Sequence, residues 1–268
     1  MPDSVLYEVS DGVAVLTLNR PEALNALDIP TKTALRDAVL DAQGDPAVRA
    51  VLLTAAGERA FCVGQDLDEH MAALTELRPG QEVSVASLRE HLNPLVTALL
   101  TMPKPVVAGV NGIAAGAGAS LAWACDVRVL AERAGFNTAF AGVGLTADTG
   151  ASWTLPRLVG HAKAAELLMV PRTVPAAEAH ALGLANQVVP GAELREAALD
   201  FARKLAAVPA SALGAIKESL AYASFHSLAD TLAKETALQS TAANSAEHLA
   251  AMRDFTGRQQ RAGRRRDA

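Results

Sequence analysis

Three glycine-rich stretches of this chain contain the residues whose types and spacing could support catalysis. "AFCVGQDL" at 60–67 and "NGIAAGAGASLA" at 111–122 each follow an apolar, β-branched run, and "GVGLTADTGASWTLPRLVG" at 142–160 places the carboxylate of Asp148 among small residues. Small residues after a strand allow either tight helix packing or close approach of a ligand to the backbone, and free N–H groups at a helix start favour negative charge. Two loops of backbone donors and one proton carrier fit enolate chemistry beside a thioester or another carbonyl.

Other chemistries match the sequence poorly. The six histidines are dispersed without the spacing of metal ligands, and neither Cys62 nor Cys125 has a near partner, so we predict no metal site. "GAGAS" has Leu121 where a dinucleotide-binding loop needs a third small residue. Ser120 lacks the His and Asp partners of a serine hydrolase in chain order. Asp148 by itself would also suit a turn or a helix cap.

Composition limits the class of protein. The chain has 268 residues, a formal charge of −5, 50% hydrophobic residues and two cysteines. It has no apolar run near the roughly 20 residues of a membrane-spanning helix, and its start lacks the pattern of a secretory leader. We therefore expect a cytoplasmic protein with no nucleic-acid partner and no membrane partner, in a reducing compartment without disulfides.

The elements that must position these loops follow an α/β pattern. Alternation around Asp11-Gly12 predicts a β-hairpin, and 29–45 has helical spacing that ends near Gly44. Strands are predicted in 48–57 and 104–110, a long helix over 82–102, and a helix leading into a strand over 119–131. We predict an α/β core at 1–190, a helical region at 191–257 and a basic, disordered tail at 258–268. Within the helical region the predicted helices cover 193–208, 210–223 and 228–256.

Four motifs, in order, give the chain a resemblance to the enoyl-CoA hydratase/isomerase (crotonase) family. They are "NRPEALNAL" at 19–27, "FCVGQDL" at 61–67, "NGIAAGAGASLAWACD" at 111–126 and "RTVPAAEAHALGLANQVVP" at 172–190. The resemblance implies a spiral core of repeated ββα units and a C-terminal helical trimerisation region. It also implies an acyl-CoA thioester substrate from fatty acid metabolism, a homotrimer or a dimer of trimers, and no cofactor, because coenzyme A is part of the substrate.

Carried over by motif, the resemblance assigns roles to individual residues. The oxyanion hole would consist of the backbone N–H groups of Gln65 and Ala117, with Asp148 as the catalytic acid/base. The expected substrate-binding residues are Ala23, Leu24, Asp66 and Leu67 around coenzyme A, Phe140, Leu145 and Trp153 as an apolar wall beside Asp148, and Arg258 near the coenzyme A phosphates. Such a wall would raise the pKa of Asp148, although these apolar side chains are equally consistent with core packing.

Two departures decide which reaction of the family we expect. Hydratases of this family place two glutamates around the alkene, and the matching positions here hold Ser120 and Phe140. Asp148 matches the aspartate of the isomerase branch, to which the epoxyphenylacetyl-CoA isomerases belong. One carboxylate can move one proton between C2 and C4 without a second acid. The expected reaction is therefore a shift of the double bond in an enoyl-CoA.

Three alternatives remain open from the sequence. The chain could be a hydratase with a non-standard site, or a protein that binds acyl-CoA without turnover. It could also be an acyl-CoA dehalogenase or hydrolase with Asp148 as nucleophile, because "DTGAS" is similar to that segment of the 4-chlorobenzoyl-CoA dehalogenases. Those enzymes carry a tryptophan at the position of Phe140. His91 is the candidate for their catalytic histidine, but it is predicted to lie on a helix surface.

Overall fold

Two β-sheets and the helices around them form the structure, a computed structural model that describes residues 3–78, 81 and 85–264. The strands are β1 (Val5–Ser10), β2 (Val13–Leu18), β3 (Ala50–Ala55), β4 (Ala60–Cys62), β5 (Val106–Val110), β6 (Ile113–Ala115), β7 (Val127–Ala131), β8 (Gly135–Asn137), β9 (Thr173–Pro175) and β10 (Gln187–Val189). The helices are α1 (Ile29–Gly44), α2 (Leu67–Thr75), α3 (Asn93–Thr101), α4 (Ala117–Ala124), α5 (Ala151–Val159), α6 (His161–Met169), α7 (Ala176–Ala181), α8 (Leu194–Ala206), α9 (Ala210–Ala223), α10 (Leu228–Ala243) and α11 (Ala246–Arg264).

A repeated ββα unit builds the core, as the family resemblance implies. The large sheet has the order β1-β2-β3-β5-β7-β10, with an antiparallel β1–β2 hairpin and parallel pairs thereafter. The small sheet has the order β4-β6-β8-β9. Strands β3, β5 and β7 are each followed by a short strand of the small sheet and then by a helix. Because both sheets keep the same order, the three small strands lie side by side and parallel.

The predicted long helix over 82–102 differs from the structure. Residues 82–84 lie outside the described part of the chain, Leu88–Leu92 form a π-helical turn, and α3 begins at Asn93. Pro94 has no N–H to donate to the carbonyl of Glu90 four residues earlier. That carbonyl instead accepts from Nη1 of Arg36 on α1 at 3.0 Å. The proline thus explains why the helix is irregular there.

The C-terminal region is helical as predicted, with two differences. The segment 228–256 forms two helices rather than one, because α10 ends at Ala243 and α11 begins at Ala246. Ser227 caps the start of α10 by accepting from the amide of Asp230. The expected tail at 258–268 is helical as far as Arg264, where α11 ends. No helix among the described residues is both long and apolar enough to cross a membrane.

The small-residue tract at 111–122 serves packing as well as the site. All eight residues of α4 are buried. A Cβ atom on Gly118 would lie 2.1 Å from the carbonyl oxygen of Cys62, so the helix can pack on β4 only if this residue is glycine. Most of the tract therefore reflects tight helix packing, and only Gly116 and Ala117, in its middle, border the cavity described next.

Candidate active site

The three parallel strands β4, β6 and β8 deliver three loops to one edge of the small sheet. Parallel neighbours place their carboxyl ends together, so the residues after Cys62, Ala115 and Asn137 converge. The amide of Gly116 donates to the carbonyl of Asn137 at 3.0 Å, which joins the second loop to the third. The sequence order of the motifs thus becomes a spatial cluster.

Two backbone N–H groups in this cluster are available to a ligand. The amides of Gln65 and Ala117 have no hydrogen-bond acceptor within the described residues. Leu27 bonds to the Gly64 carbonyl and the Asp66 amide on either side of Gln65, which leaves the Gln65 amide free. Ala117 is the first residue of α4, so its amide has no acceptor within the helix. The loops are also close together: Gly64 has φ of +88°, and a Cβ atom built on it would lie 3.2 Å from the Ala117 nitrogen. Two adjacent free donors are what an oxyanion hole requires.

Charged side chains hold the first loop in place. Asp66 caps α2 by accepting from the amides of Asp68 and Glu69, both at 3.2 Å, and its other oxygen lies 3.1 Å from Nη1 of Arg20. Burial acts to raise the pKa of Asp66, but the hydrogen bonds from Glu69 and Arg20 outweigh it and hold the pKa below its usual value. Asp66 is therefore ionised and occupied by capping, which leaves it poorly suited to proton transfer.

Asp148 is the carboxylate best suited to proton transfer. It precedes α5, and its backbone carbonyl accepts from the amide of Ala151 at 2.9 Å. Burial raises the pKa of Asp148, while a 2.9 Å hydrogen bond from the Thr149 hydroxyl and the charge of Lys32 act in the opposite direction. A half-buried carboxylate with a raised pKa can both accept and return a proton.

A cavity of about 400 Å³ joins the donors to this carboxylate. Its lining includes nearly all of the residues predicted from the sequence: Ala23, Leu24, Gln65, Asp66, Leu67, Ala117, Phe140, Leu145 and Asp148. Phe140 is buried, whereas Leu145 is half exposed at the mouth. Phe140 and Leu145 therefore contribute apolar surface to the cavity that Asp148 also lines.

Three residues singled out by the sequence lie outside this lining. Trp153 was expected in the wall, but α5 turns it away: its ring packs 5.8 Å from that of Phe225, and the Arg157 guanidinium lies 4.0 Å above it. Arg258 is exposed on α11. His91 lies on the π-helical turn, where its Nδ1 is 3.1 Å from Nη1 of Arg36.

Ser120 is also outside the lining, although it stands at a hydratase glutamate position. It is fully buried on α4, with its Oγ 3.1 Å from the Gly116 carbonyl oxygen and 3.4 Å from that of Asp148. Its hydroxyl is thus engaged with the backbone that supports Ala117 and Asp148. It supports the site from behind instead of facing the cavity.

Lys32 is a charged residue near the site that the sequence motifs do not reveal. Its side chain is 0% exposed, and its Nζ lies 3.6 Å from Oε1 of Glu69. Helical spacing could have found it, because Lys32, Leu35 and Val39 recur at i, i+3 and i+7 and all three are buried. A lysine on the apolar face of a helix is unusual enough to mark a functional or structural role.

A second concave surface lies between α9 and α10. This groove of about 860 Å³ is lined mainly by alanine and aliphatic side chains such as Ile216, Leu220 and Leu232. It lacks the convergent free amides of the first cavity, and we therefore assign no catalysis to it. No three histidine, cysteine or acidic side chains in the described part of the chain are grouped as metal ligands would be.

Comparison with known proteins shows the family of the chain. The sequence profile of the enoyl-CoA hydratase/isomerase family matches residues 8–262, so the chain belongs to that family. It is 38% identical to 1,2-epoxyphenylacetyl-CoA isomerase of Escherichia coli, over 92% of this chain and 93% of the relative. It is equally 38% identical to a protein of Rhodobacter capsulatus named a probable enoyl-CoA hydratase, over 94% of both chains.

The fold has close counterparts among solved structures. A crystal structure of a protein from Mycobacterium abscessus, described as an enoyl-CoA hydratase/isomerase, superposes with a TM-score of 0.90 at 42% identity, covering 95% of this chain and 96% of the other. The predicted crotonase-type fold is thereby confirmed. The names of these relatives include both isomerase and hydratase.

Proposed function

We propose that this protein shifts a double bond in an enoyl-CoA thioester, with Asp148 as the sole acid/base. The thioester oxygen accepts hydrogen bonds from the amides of Gln65 and Ala117. Asp148 removes a proton from C4 of a 2-enoyl group, and the electron pair moves through the former double bond onto the thioester oxygen as a dienolate. Protonation at C2 by the same carboxyl group gives the 3-enoyl product, and the reverse path is equivalent.

The observation that carries this proposal is the pairing of two free amides with one half-buried carboxylate in a single cavity. Hydration needs a second group to hold and activate water. The two positions that supply it in hydratases here hold a serine bound to backbone carbonyls and a buried phenylalanine. The remaining acidic residues of the lining, Glu22 and Asp68, are exposed at the rim, and Asp66 is a helix cap.

The test compares two substrates, a trans-2-enoyl-CoA and its cis-3 isomer, with water addition and double-bond migration measured separately. We expect migration in both directions without a hydroxyacyl product, and its loss in Asp148→Asn. Hydration at a comparable rate would refute the proposal. Release of free coenzyme A, or tight binding without turnover, would support a hydrolase or a non-catalytic binding protein instead.

We also propose that the chain assembles as a homotrimer through its C-terminal helices. Large hydrophobic side chains are exposed on α9 and α10, among them Leu220 at 69%, Leu228 at 75% and Ile216 at 56%. A contiguous apolar surface of this kind commonly marks a protein interface. Sedimentation should give three times the mass of the chain, and Leu220→Asp should lower this mass. A wild-type protein that sediments with the mass of a single chain would contradict the proposal.

A further inference from the structure

An ion pair between the buried Lys32 and the partly exposed Glu69 lies near the site and has no part in the reaction proposed above. Lys32 is one of the largest fully buried side chains of the described core, and it extends from α1. Its Nζ lies 3.5 Å from Oγ of Ser87 and 3.6 Å from Oε1 of Glu69. Taking an ammonium group out of water is costly unless nearby groups compensate it. A buried lysine calls for an explanation in a core that consists mainly of hydrophobic side chains.

Glu69 links this ammonium to the oxyanion loop. One of its oxygens, Oε1, accepts from Nε2 of Gln65 at 3.2 Å, and the other accepts from the amide of Ile29 at 2.7 Å, at the start of α1. The carboxylate thus bridges α1, α2 and the residue whose backbone N–H we assign to the oxyanion hole. Its side chain is 31% exposed, so water also reaches it.

The charge of Lys32 also acts on the catalytic carboxylate. Burial lowers the pKa of Lys32, but Glu69, Asp28 and Asp66 favour its charged form. The positive charge in turn favours the ionised form of Asp148 against the effect of burial. Arg36, on the next turn of α1, is occupied by His91 and by the Glu90 carbonyl.

We propose that Lys32 and Glu69 are a pair of positioning residues for the active site. The Glu69 carboxylate fixes Gln65 against α1, and the buried Lys32 ammonium fixes that carboxylate and lends its positive charge to the site. This inference deepens the proposed function and rests on it for the roles of Gln65 and Asp148. Neither Lys32 nor Glu69 borders the cavity, so neither is expected to touch substrate.

The decisive variant is Lys32→Met, which keeps the length of the side chain and removes its charge. Because water reaches Glu69, the substitution leaves no unpaired buried carboxylate, and the protein should fold. Lys104→Met is the matched control. Lys104 is a partly buried lysine near the other end of α1, where its Nζ donates to the carbonyls of Ala42 and Asp45 at 2.7 and 2.6 Å.

The first readout is the titration of the Asp148 carboxyl carbon by NMR, identified by its absence in Asp148→Asn. A positive charge near a carboxyl group lowers its pKa, and this contribution is lost with the Lys32 ammonium. We expect Lys32→Met to raise the midpoint and Lys104→Met to leave it unchanged. An unchanged midpoint in Lys32→Met would overturn the electrostatic role, whatever reaction the enzyme catalyses.

The second readout is the rate of double-bond migration. In Lys32→Met and in Glu69→Gln, kcat should fall about tenfold with little change in KM, since a misplaced donor weakens the stabilisation of the dienolate. If the two residues act as a pair, the double variant should be no slower than the slower single variant. Additive losses would refute the pairing. A wild-type enzyme without migration would refute the proposed function, while the NMR titration would still decide the role of Lys32.

Discussion

Replacing Gly64 by alanine should separate the oxyanion loops while leaving every functional side chain in place. Gly64 has φ of +88°, and an added Cβ would lie 2.9 Å from the Ala115 carbonyl oxygen and 3.2 Å from the Ala117 nitrogen. Both neighbours are backbone atoms in a buried segment, so they cannot swing aside as a flexible side chain would. Relief of the contact therefore requires the two donor loops to move apart.

The expected losses can be estimated separately for folding and for catalysis. A non-glycine residue in a sparsely populated backbone region costs about 1–3 kcal/mol of folding free energy. Loss of one oxyanion donor costs about 10²–10³ in kcat. We expect Gly64→Ala to show both effects, measured by thermal unfolding and by the rate of double-bond migration.

Gly160→Ala is the control that introduces similar backbone strain at a position away from the two donor loops. Gly160 lies between α5 and α6 with φ of +77°, and nothing lies within 4 Å of the Cβ position. This variant should lose comparable stability and keep near-normal kcat. If Gly64→Ala retains activity within about threefold of Gly160→Ala, the amides of Gln65 and Ala117 are not a preorganised oxyanion hole and the reasoning fails.

Two further predictions concern the groups around the base. Burial raises the pKa of Asp148 above 3.8, so this carboxyl group binds its proton more tightly in the folded protein than in the unfolded chain. The free energy of unfolding should therefore decline as pH rises from about 4 through the raised pKa. Urea titrations of Asp148→Asn should lack that decline. Over the same interval kcat/KM for migration should rise in the wild type, since the base acts when ionised, and a flat profile would argue against it. Ser120→Ala should cost about 1 kcal/mol of stability through the lost bond to Gly116, yet leave kcat within about threefold, whereas a large loss of activity would show that the hydroxyl organises substrate or water.

Much of the fold follows from local patterns that the structure leaves intact. Alternation around Asp11-Gly12 is enough for the β1–β2 hairpin, because a two-residue turn fixes the pairing of the strands beside it. The bounds predicted for α9, at 210–223, agree with the structure. The prediction of one helix over 228–256 overlooks a local signal for the break at Asn244, because the Ser245 hydroxyl accepts from the amide of His248 and caps the start of α11.

The site was predictable where it depends on backbone, and less so where it depends on the direction of side chains. Loops that follow neighbouring parallel strands converge whatever their sequence. The motifs were therefore enough to predict that Gln65, Ala117 and Asp148 lie together, and all three line one cavity. Trp153 shares its helix turn with the site, but the direction of its side chain depends on the packing of α5 against Phe225, a contact between distant parts of the chain. The tertiary fold decides such contacts, and a single sequence does not record them.

Lys32 shows how a residue outside every motif can still belong to the function. Motifs mark the residues that meet a substrate, whereas the groups that hold those residues need only the right charge at the right depth. Lys32 can be buried with its charge because the carboxylates of Glu69 and Asp28 favour its charged form. Glu69 lies in the first turn of α2, and Asp66 caps the start of that helix. The chemistry of this site thus depends on the charge arrangement beneath the loops as much as on the loops themselves.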